Sequence, residues 1–204
     1  IREFTSTGII TKDGRARPLD CVILGTGFIV DPRVYMKSFE LRGLNGHTIQ
    51  EDWKVSPTAY LGITAANYPN MYQLVGPHTG LGHNSIIFMI EAQADYIVNC
   101  VKLLQAKGNG YLDVKEEAQN RFLGEMTQAL KGTVWDSGCK SWYQTAEGIN
   151  FAIWPKSTWR YWLATRKVNE ADYRFVKCAG QGTVGAAGAQ AGAGAQAMAP
   201  TAAR

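Results

Sequence analysis

The sequence predicts an α/β fold. Two apolar runs, around Val22-Ile23-Leu24 and at Met71-Tyr72-Gln73-Leu74-Val75, each lead into a glycine-containing turn, and the second turn opens directly onto a long helical pattern. Strand, glycine loop and helix are the repeating unit of such folds. The 204 residues, 46% hydrophobic and 19% charged, suit one large domain or two small ones and exclude a chain disordered throughout. No apolar run approaches the roughly 18 residues of a membrane span. The net charge of +4 is dispersed along the chain, so nothing asks for nucleic acid. Cys21, Cys100, Cys139 and Cys178 lie far apart with no C-x-x-C pair. That argues against a structural zinc site and a disulfide scaffold, and makes a reducing cytoplasm the default location.

Residues 1–7 read as a strand, followed by Gly8-Ile9-Ile10-Thr11 and a hairpin signal at Lys12-Asp13-Gly14. There is no initiator Met, and a chain that opens in mid-sheet is expected to be a fragment. Asp20-Cys21-Val22-Ile23-Leu24 reads as a buried parallel strand that enters the turn Gly25-Thr26-Gly27-Phe28. Residues 29–59 are irregular, with turn signals at Asp31-Pro32 and Asn45-Gly46. Residues 60–64 are a possible strand, Asn67-Tyr68-Pro69-Asn70 a turn, and residues 71–75 a second buried strand.

A strong helix follows. Ile86, Ile90, Ile97, Val101 and Leu104 recur at helical spacing, Asn84 or Ser85 is placed to cap its start, and Gly108 to end it. A second helix is expected from Asp113, with Glu116 completing a near capping box. Val114, Ala118, Phe122, Met126 and Leu130 form its apolar face, and Gly132 stops it. Trp142-Tyr143, a turn at Glu147-Gly148 and residues 151–154 read as an aromatic hairpin ended by Pro155. Residues 179–204, nearly all Ala, Gly and Gln, bury too little to offset their ordering entropy and are expected to be a disordered tail.

The chemistry-bearing feature is the run Gly76-Pro77-His78-Thr79-Gly80-Leu81-Gly82-His83-Asn84-Ser85 between the second strand and the helix. The first N–H groups of a helix have no intrahelical partner and carry partial positive charge, so they suit a phosphate or an electron-rich ring. Gly76, Gly80 and Gly82 let backbone approach a flat ligand closely. The run lacks the Lys-Ser/Thr ending of a P-loop and is not G-x-G-x-x-G, so a plain strand-to-helix turn explains its spacing equally well.

The exact strings narrow this reading. Tyr60-Leu61-Gly62-Ile63-Thr64, Tyr68-Pro69-Asn70-Met71-Tyr72, and the run from Gly76 to Glu91 with Gln93 and Tyr96 closely resemble the C-terminal part of Baeyer–Villiger and related flavin-containing monooxygenases. The stretch from Asp20 to Phe28 resembles a second fingerprint of that family. Trp135, Gly138-Cys139-Lys140-Ser141-Trp142-Tyr143, Gly148, Asn150, Trp154-Pro155 and Asp172-Tyr173 resemble its C-terminal stretch. The resemblance covers roughly residues 1–177.

It implies the C-terminal portion of a Rossmann-type FAD domain from a protein with two dinucleotide-binding domains. Residues 1–19 would end the NADP-domain linker, residues 20–108 belong to the FAD domain, and residues 109–178 form a helical, aromatic-rich extension before the tail at 179–204. It implies FAD and NADPH as cofactors. Oxygen from O2 would be inserted through a peroxyflavin, turning a ketone to an ester or oxidising nitrogen or sulfur of a small organic molecule. Thr26, Gly27, Thr79, Gly80, Leu81, Gly82, His83, Asn84 and Ser85 are the residues that would lie at the cofactor.

No G-x-G-x-x-G follows a strand, and the nucleotide fingerprints and catalytic arginine of the family are expected upstream of Ile1. No catalytic residue carries over, and the chain alone is expected to be inactive. Each singled-out residue also has a plainer reading. His83 serves as a loop histidine bonded to backbone, Asn84 and Ser85 as helix caps, and Thr26-Gly27 as a tight packing turn. Glu91 either meets a partner in the missing part or faces solvent. Trp142 and Trp154 line a cavity or simply supply packing area. The alternative to an oxygenase is a truncated, non-catalytic partner-binding domain.

Overall fold

The computed structural model describes residues 1–108, 110–138 and 141–177. The expected tail at 179–204, with Cys139 and Cys178, lies outside the described residues.

The chain opens with an antiparallel meander of β1 (Glu3–Thr5), β2 (Gly8–Ile10) and β3 (Ala16–Pro18), in which Phe4 pairs with Ile9 and Ile9 with Arg17. The hairpin expected at Lys12-Asp13-Gly14 joins β2 to β3. The Gly14 N–H donates to the Thr11 carbonyl at 2.9 Å, and Gly14 takes φ +84°, where glycine carries no Cβ penalty. β2 is half-buried, whereas β1 and β3 are exposed along their whole length.

The main core is built by three helices and a two-stranded sheet. These are α3 (Ile86–Ala106), α4 (Glu116–Leu130), α5 (Thr158–Thr165), and the antiparallel pair β4 (Gly110–Val114) and β5 (Tyr173–Lys177). Two short helices precede them, α1 (Pro32–Tyr35) and α2 (Ile49–Asp52). Met89, Tyr96, Cys100, Leu112, Val114, Phe122, Met126, Trp154, Tyr161 and Tyr173 pack into one cluster. A satellite cluster holds Ile49, Trp53, Ala65 and Tyr68 under α2. The apolar face of α4 is the expected one: Ala118, Phe122, Met126 and Leu130 are all buried. Gly108 (φ +90°) follows α3 and Gly132 (φ +71°) follows α4, each in the left-handed conformation that ends a helix.

Several expected elements take another form. Residues 20–24 are not a strand: no backbone hydrogen bond among the described residues joins 20–30, and Ile23 is 92% exposed. A parallel strand is stable only between neighbours that take its N–H and C=O groups and cover both faces, and none of the described residues does so here. Residues 71–75 also lack a ladder, because their backbone bonds elsewhere. The Gln73 N–H donates to the Ile63 carbonyl (2.9 Å), the Val75 N–H donates to Gln93 Oε1 (2.9 Å), and Val75 itself sits at φ +55°. Residues 60–64 close a tight turn through one bridge, Tyr60 to Thr64, instead of extending. The aromatic hairpin is a loop held by the single bridge between Gln144 and Asn150.

Asp113 does not begin a helix. It lies in β4, fully buried, where its carboxylate accepts from the Asn67 N–H (2.9 Å) and from Arg174 (2.8 Å), and α4 begins three residues later. Burial raises its pKa despite the Arg174 partner. The inward face of α3 is rotated from the expected one. Met89, Ala92, Gln93, Tyr96 and Cys100 are buried, Ile86, Ile90, Ile97 and Leu104 flank them half-buried, and Val101 is exposed. An apolar helix offers overlapping stripes, and here the one carrying Gln93 and Tyr96 turns inward because their polar atoms find partners there. Gln93 Nε2 donates to Tyr161 Oη (3.0 Å), and the Tyr96 and Tyr173 hydroxyls meet at 2.9 Å.

Gln93→Met keeps the side-chain volume but removes the acceptor of the Val75 N–H and the donor to Tyr161. Denaturant unfolding of this variant is expected to show about 1–3 kcal/mol less stability with an unchanged slope; an unchanged midpoint would show that the amide is dispensable.

Candidate functional site

The loop at 76–85 is fixed on one side by backbone. The His78 N–H donates to the Phe151 carbonyl and the Gly80 N–H to the Ala152 carbonyl, both at 2.7 Å, while the Trp154 N–H donates back to the Gly80 carbonyl at 2.9 Å. Gly80 and Ile153 thus form a one-residue parallel bridge. Below, the loop rests on the turn at 60–64. Gly62 is at φ +66°, and a Cβ there would lie 2.2 Å from Thr79 Cγ2; a Cβ on Gly76 would lie 2.3 Å from the Gly62 carbonyl oxygen. These two glycines let the segments stack at backbone distance.

Along the loop, exposure changes abruptly. His78 and Thr79 are buried, and Thr79 Oγ1 donates to the Gly76 carbonyl (2.6 Å). Gly80 and Leu81 are half-buried, and Gly82, His83, Asn84 and Ser85 are exposed. Ser85 is the N-cap of α3 but makes no side-chain cap bond, and Asn84 Oδ1 accepts from the Ser85 N–H (2.7 Å), outside the helix. Neither residue caps the first turn as expected. Asn84 instead donates through Nδ2 to Thr158 Oγ1 (3.0 Å), tying the loop to α5. The opening turn of α3 is left without a side-chain acceptor, with its positive end toward the surface.

Thr26 and Gly27 are exposed. An aromatic chain connects them to the loop. Phe28 stacks on Trp142 with centroids 5.8 Å apart, and Trp142 meets Tyr143 edge-on at 5.5 Å. Tyr143 meets Trp135 at 5.3 Å, and a Cβ on Gly82 would lie 2.6 Å from the Trp135 ring. The two expected groups of site residues are therefore brought to one side of the molecule by Trp135, Tyr143 and Trp142. Trp142 is 42% exposed, whereas Trp154 is buried in the main core.

Beside the loop lies a mostly apolar cleft of about 520 Å³, bordered by Ile29, Tyr35, Val75, Gly76, Gly80 and Tyr143 among others. Sequence reasoning missed the part played by residues 29–36 and by the carbonyls of 151–152. The first borders the same cleft as the loop and the second bonds to the loop directly, both from positions distant in sequence that no local periodicity reports. Among the described residues no group of His, Cys, Asp and Glu could hold a metal ion, and no helix is long and apolar enough to cross a membrane.

His78, in the buried part of the loop, sits at φ +60° with Nδ1 3.3 Å from the Ile153 carbonyl. Burial pushes its pKa down to about 4, only partly offset by that hydrogen bond. The native state thus binds this proton less readily than the unfolded chain. Above about pH 6.5 the difference vanishes. As the pH falls from about 6.5 to 4, the unfolded state gains a proton that the native state refuses, and up to about 3 kcal/mol of stability is lost. His78→Asn keeps a residue tolerant of positive φ and an N–H donor, and is expected to flatten this acid limb in denaturation midpoints measured across the range. An equally steep limb in the variant would assign it to other groups. Gly62→Ala is expected to cost about 2 kcal/mol or more in the same assay, from left-handed backbone and overlap with Thr79; wild-type stability would mean the stack is loose.

No family model matches the chain. A Baeyer–Villiger monooxygenase of Pseudomonas aeruginosa is 39% identical over 178 residues, which is 86% of this chain and 33% of that protein. One of Streptomyces coelicolor is 34% identical over 197 residues, 96% of this chain and 37% of the relative. Among solved structures, the OTEMO complex with FAD and NADP superposes with a TM-score of 0.70 at 24% identity, covering 86% of this chain and 33% of that one, which speaks for the fold alone. The chain spans about a third of the length of the curated relatives it matches. In sequence over most of its length, and in fold, this chain is similar to a part, about one third, of Baeyer–Villiger monooxygenases.

Proposed function

We propose that this chain is the C-terminal part of a flavin-dependent monooxygenase that uses FAD, NADPH and O2 to oxidise a small organic molecule, a ketone in first place. One observation carries the reading: a glycine-rich loop delivers the uncapped start of a 21-residue helix to the surface beside an apolar cleft, in a chain similar to Baeyer–Villiger monooxygenases. The same surface carries Thr26 and Gly27 at the other end of the aromatic chain.

The residues fit a flat, electron-rich ring. Gly80 and Gly82 turn their Cα faces to Ala152 and Trp135, where a side chain would clash, Leu81 adds half-buried apolar surface, and Gly82, His83, Asn84 and Ser85 are otherwise open to a ligand. When bound, FAD supplies the redox and oxygen chemistry. The chain's own contribution is positioning and electrostatics. The amides that open α3 would favour negative charge on a bound ring, acting as preorganised dipoles. The bridge from Gly80 to residues 152–154 holds the loop at a fixed height. The apolar wall of the cleft keeps water from the substrate side. Thr79 is buried with its hydroxyl already bonded to Gly76, so it acts on the ligand only through loop shape. Cytoplasmic location belongs to the same proposal.

The test is the protein encoded by the whole open reading frame that contains this chain. It is expected to purify with FAD, to oxidise NADPH faster when a cyclic ketone is added, and to place one atom of labelled O2 in the product. A correctly folded protein that binds no flavin overturns the reading. Gly82→Val, which drives a branched side chain into Trp135, is expected to weaken FAD binding about tenfold, equivalent to about 1.4 kcal/mol; unchanged retention would remove the 79–85 loop from the site.

A further inference from the structure

Both ends of the 80–84 stretch hang from one short piece of chain, residues 152–158. At the inner end the backbone of Ala152 and Trp154 holds Gly80, whose N–H donates at 2.7 Å and whose carbonyl accepts at 2.9 Å. At the outer end Asn84 Nδ2 donates to Thr158 Oγ1 at 3.0 Å, across 74 positions of sequence. Between these ties Leu81, Gly82 and His83 take part in no hydrogen bond among the described residues. Their position therefore depends on the two ties and on the Trp135 ring beside Gly82.

The piece that carries both ties is itself anchored. The Trp154 indole N–H donates to the Ser157 carbonyl (3.0 Å), which closes the turn through Pro155, and the Trp154 ring meets Tyr161 edge-on at 5.0 Å. Tyr161 is fully buried, donates to the Leu61 carbonyl (2.6 Å) and accepts from Gln93 (3.0 Å). The start of α5 is thus pinned to the core, and Thr158 is its first residue. The Asn84 amide has a defined orientation as well. Its Oδ1 accepts from the Ser85 N–H (2.7 Å), which leaves the NH2 group as the one that meets Thr158. With both ends of the amide engaged, Asn84 is held at the tip of the loop and off the first turn of α3.

We propose that Thr158 is a positioning residue for the cofactor loop: its hydroxyl oxygen holds the Asn84 amide and so sets where residues 81–85 stand against a bound flavin. The assignment rests on the reading of this loop as the flavin site, and it gives α5, remote in sequence, a part in that site. Thr158 acts only through Asn84. Loss of its hydroxyl leaves Gly80 bridged to 152–154 but frees the far end of the stretch.

FAD titration of the flavin-free protein encoded by the whole open reading frame tests it. The variants are Thr158→Val, which keeps the shape and removes the hydroxyl, Thr158→Ser, which keeps the hydroxyl, Asn84→Ala, and the double variant Asn84→Ala/Thr158→Val. Thr158→Val is expected to bind FAD about fivefold more weakly, the net worth of one hydrogen bond, and Thr158→Ser to stay within about twofold of wild type. The visible absorption band of the bound flavin is expected to shift in the Val variant and to return in the Ser variant. The double variant is expected to lose no more affinity than Asn84→Ala alone, because both changes break the same contact. Unchanged affinity and spectrum in Thr158→Val overturn the assignment. So does a Ser variant as impaired as the Val variant, or losses that add in the double variant. A folded wild-type protein that binds no FAD defeats the proposed function and this assignment with it, whereas FAD held equally by wild type and Thr158→Val defeats this assignment alone.

Discussion

The segment at 59–80, buried at 61–68 and 77–79, is neither a helix nor a strand, and the rest of the molecule is arranged around satisfying it. A buried irregular backbone has N–H and C=O groups that no ladder serves, so each needs a side chain or a distant carbonyl. Three helices and a strand provide them. Gln93 of α3 accepts from Val75, Gln119 of α4 accepts from Ala66 (2.9 Å), Asp113 of β4 accepts from Asn67, and Tyr161 of α5 donates to the Leu61 carbonyl (2.6 Å). Asn70 is bonded in both directions to β4, its N–H to the Leu112 carbonyl and its Oδ1 to the Leu112 N–H. The polar residues on otherwise apolar faces are thus the clamps of this segment. Five of its non-glycine residues, Leu61, Asn67, Asn70, Val75 and His78, sit at positive φ, a conformation that persists only when its surroundings over-determine it.

The clamps are themselves oriented by a second layer of contacts. Burial pushes the Asp172 carboxyl up, yet hydrogen bonds from Tyr60 (2.7 Å), Arg121 (2.5 Å) and Asn169 (2.9 Å) together hold it below its ordinary value. Asp172 leads directly into β5, so the anchor of Tyr60 also fixes the strand that carries Tyr173. The result is a hydrogen-bonded floor beneath residues 76–80, with 82–85 exposed above it.

What could be read from the sequence was local. Both long helices, their glycine stops and the face of α4 follow from 3.6-residue periodicity and from Gly108 and Gly132. The hairpin at Lys12-Asp13-Gly14 follows from turn chemistry. The strands expected at 20–24 and 71–75 do not form, because an apolar run states only that a segment wants cover and not which neighbours provide it. Asp113 belongs to β4 and not to a helix start; a buried carboxylate paired to Arg174 has the same local signature as a helix cap. For the site, the loop at 76–85 was legible through its glycines. The supports of that loop at Phe151, Ala152 and Trp135 lie more than 50 residues away and leave no local trace.

The meander β1–β3 has a consequence for anyone producing this chain alone. β1 and β3 are both edges, and both are solvent-facing along their length, with Phe4 57% exposed. Arg15, Arg17 and Pro18 discourage annealing at the β3 side, but β1 has only Arg2 and Glu3 beside its phenylalanine. Strand exchange between molecules, and from it inclusion-body formation, therefore has a natural starting point at β1, and a solubility tag is best fused next to that edge.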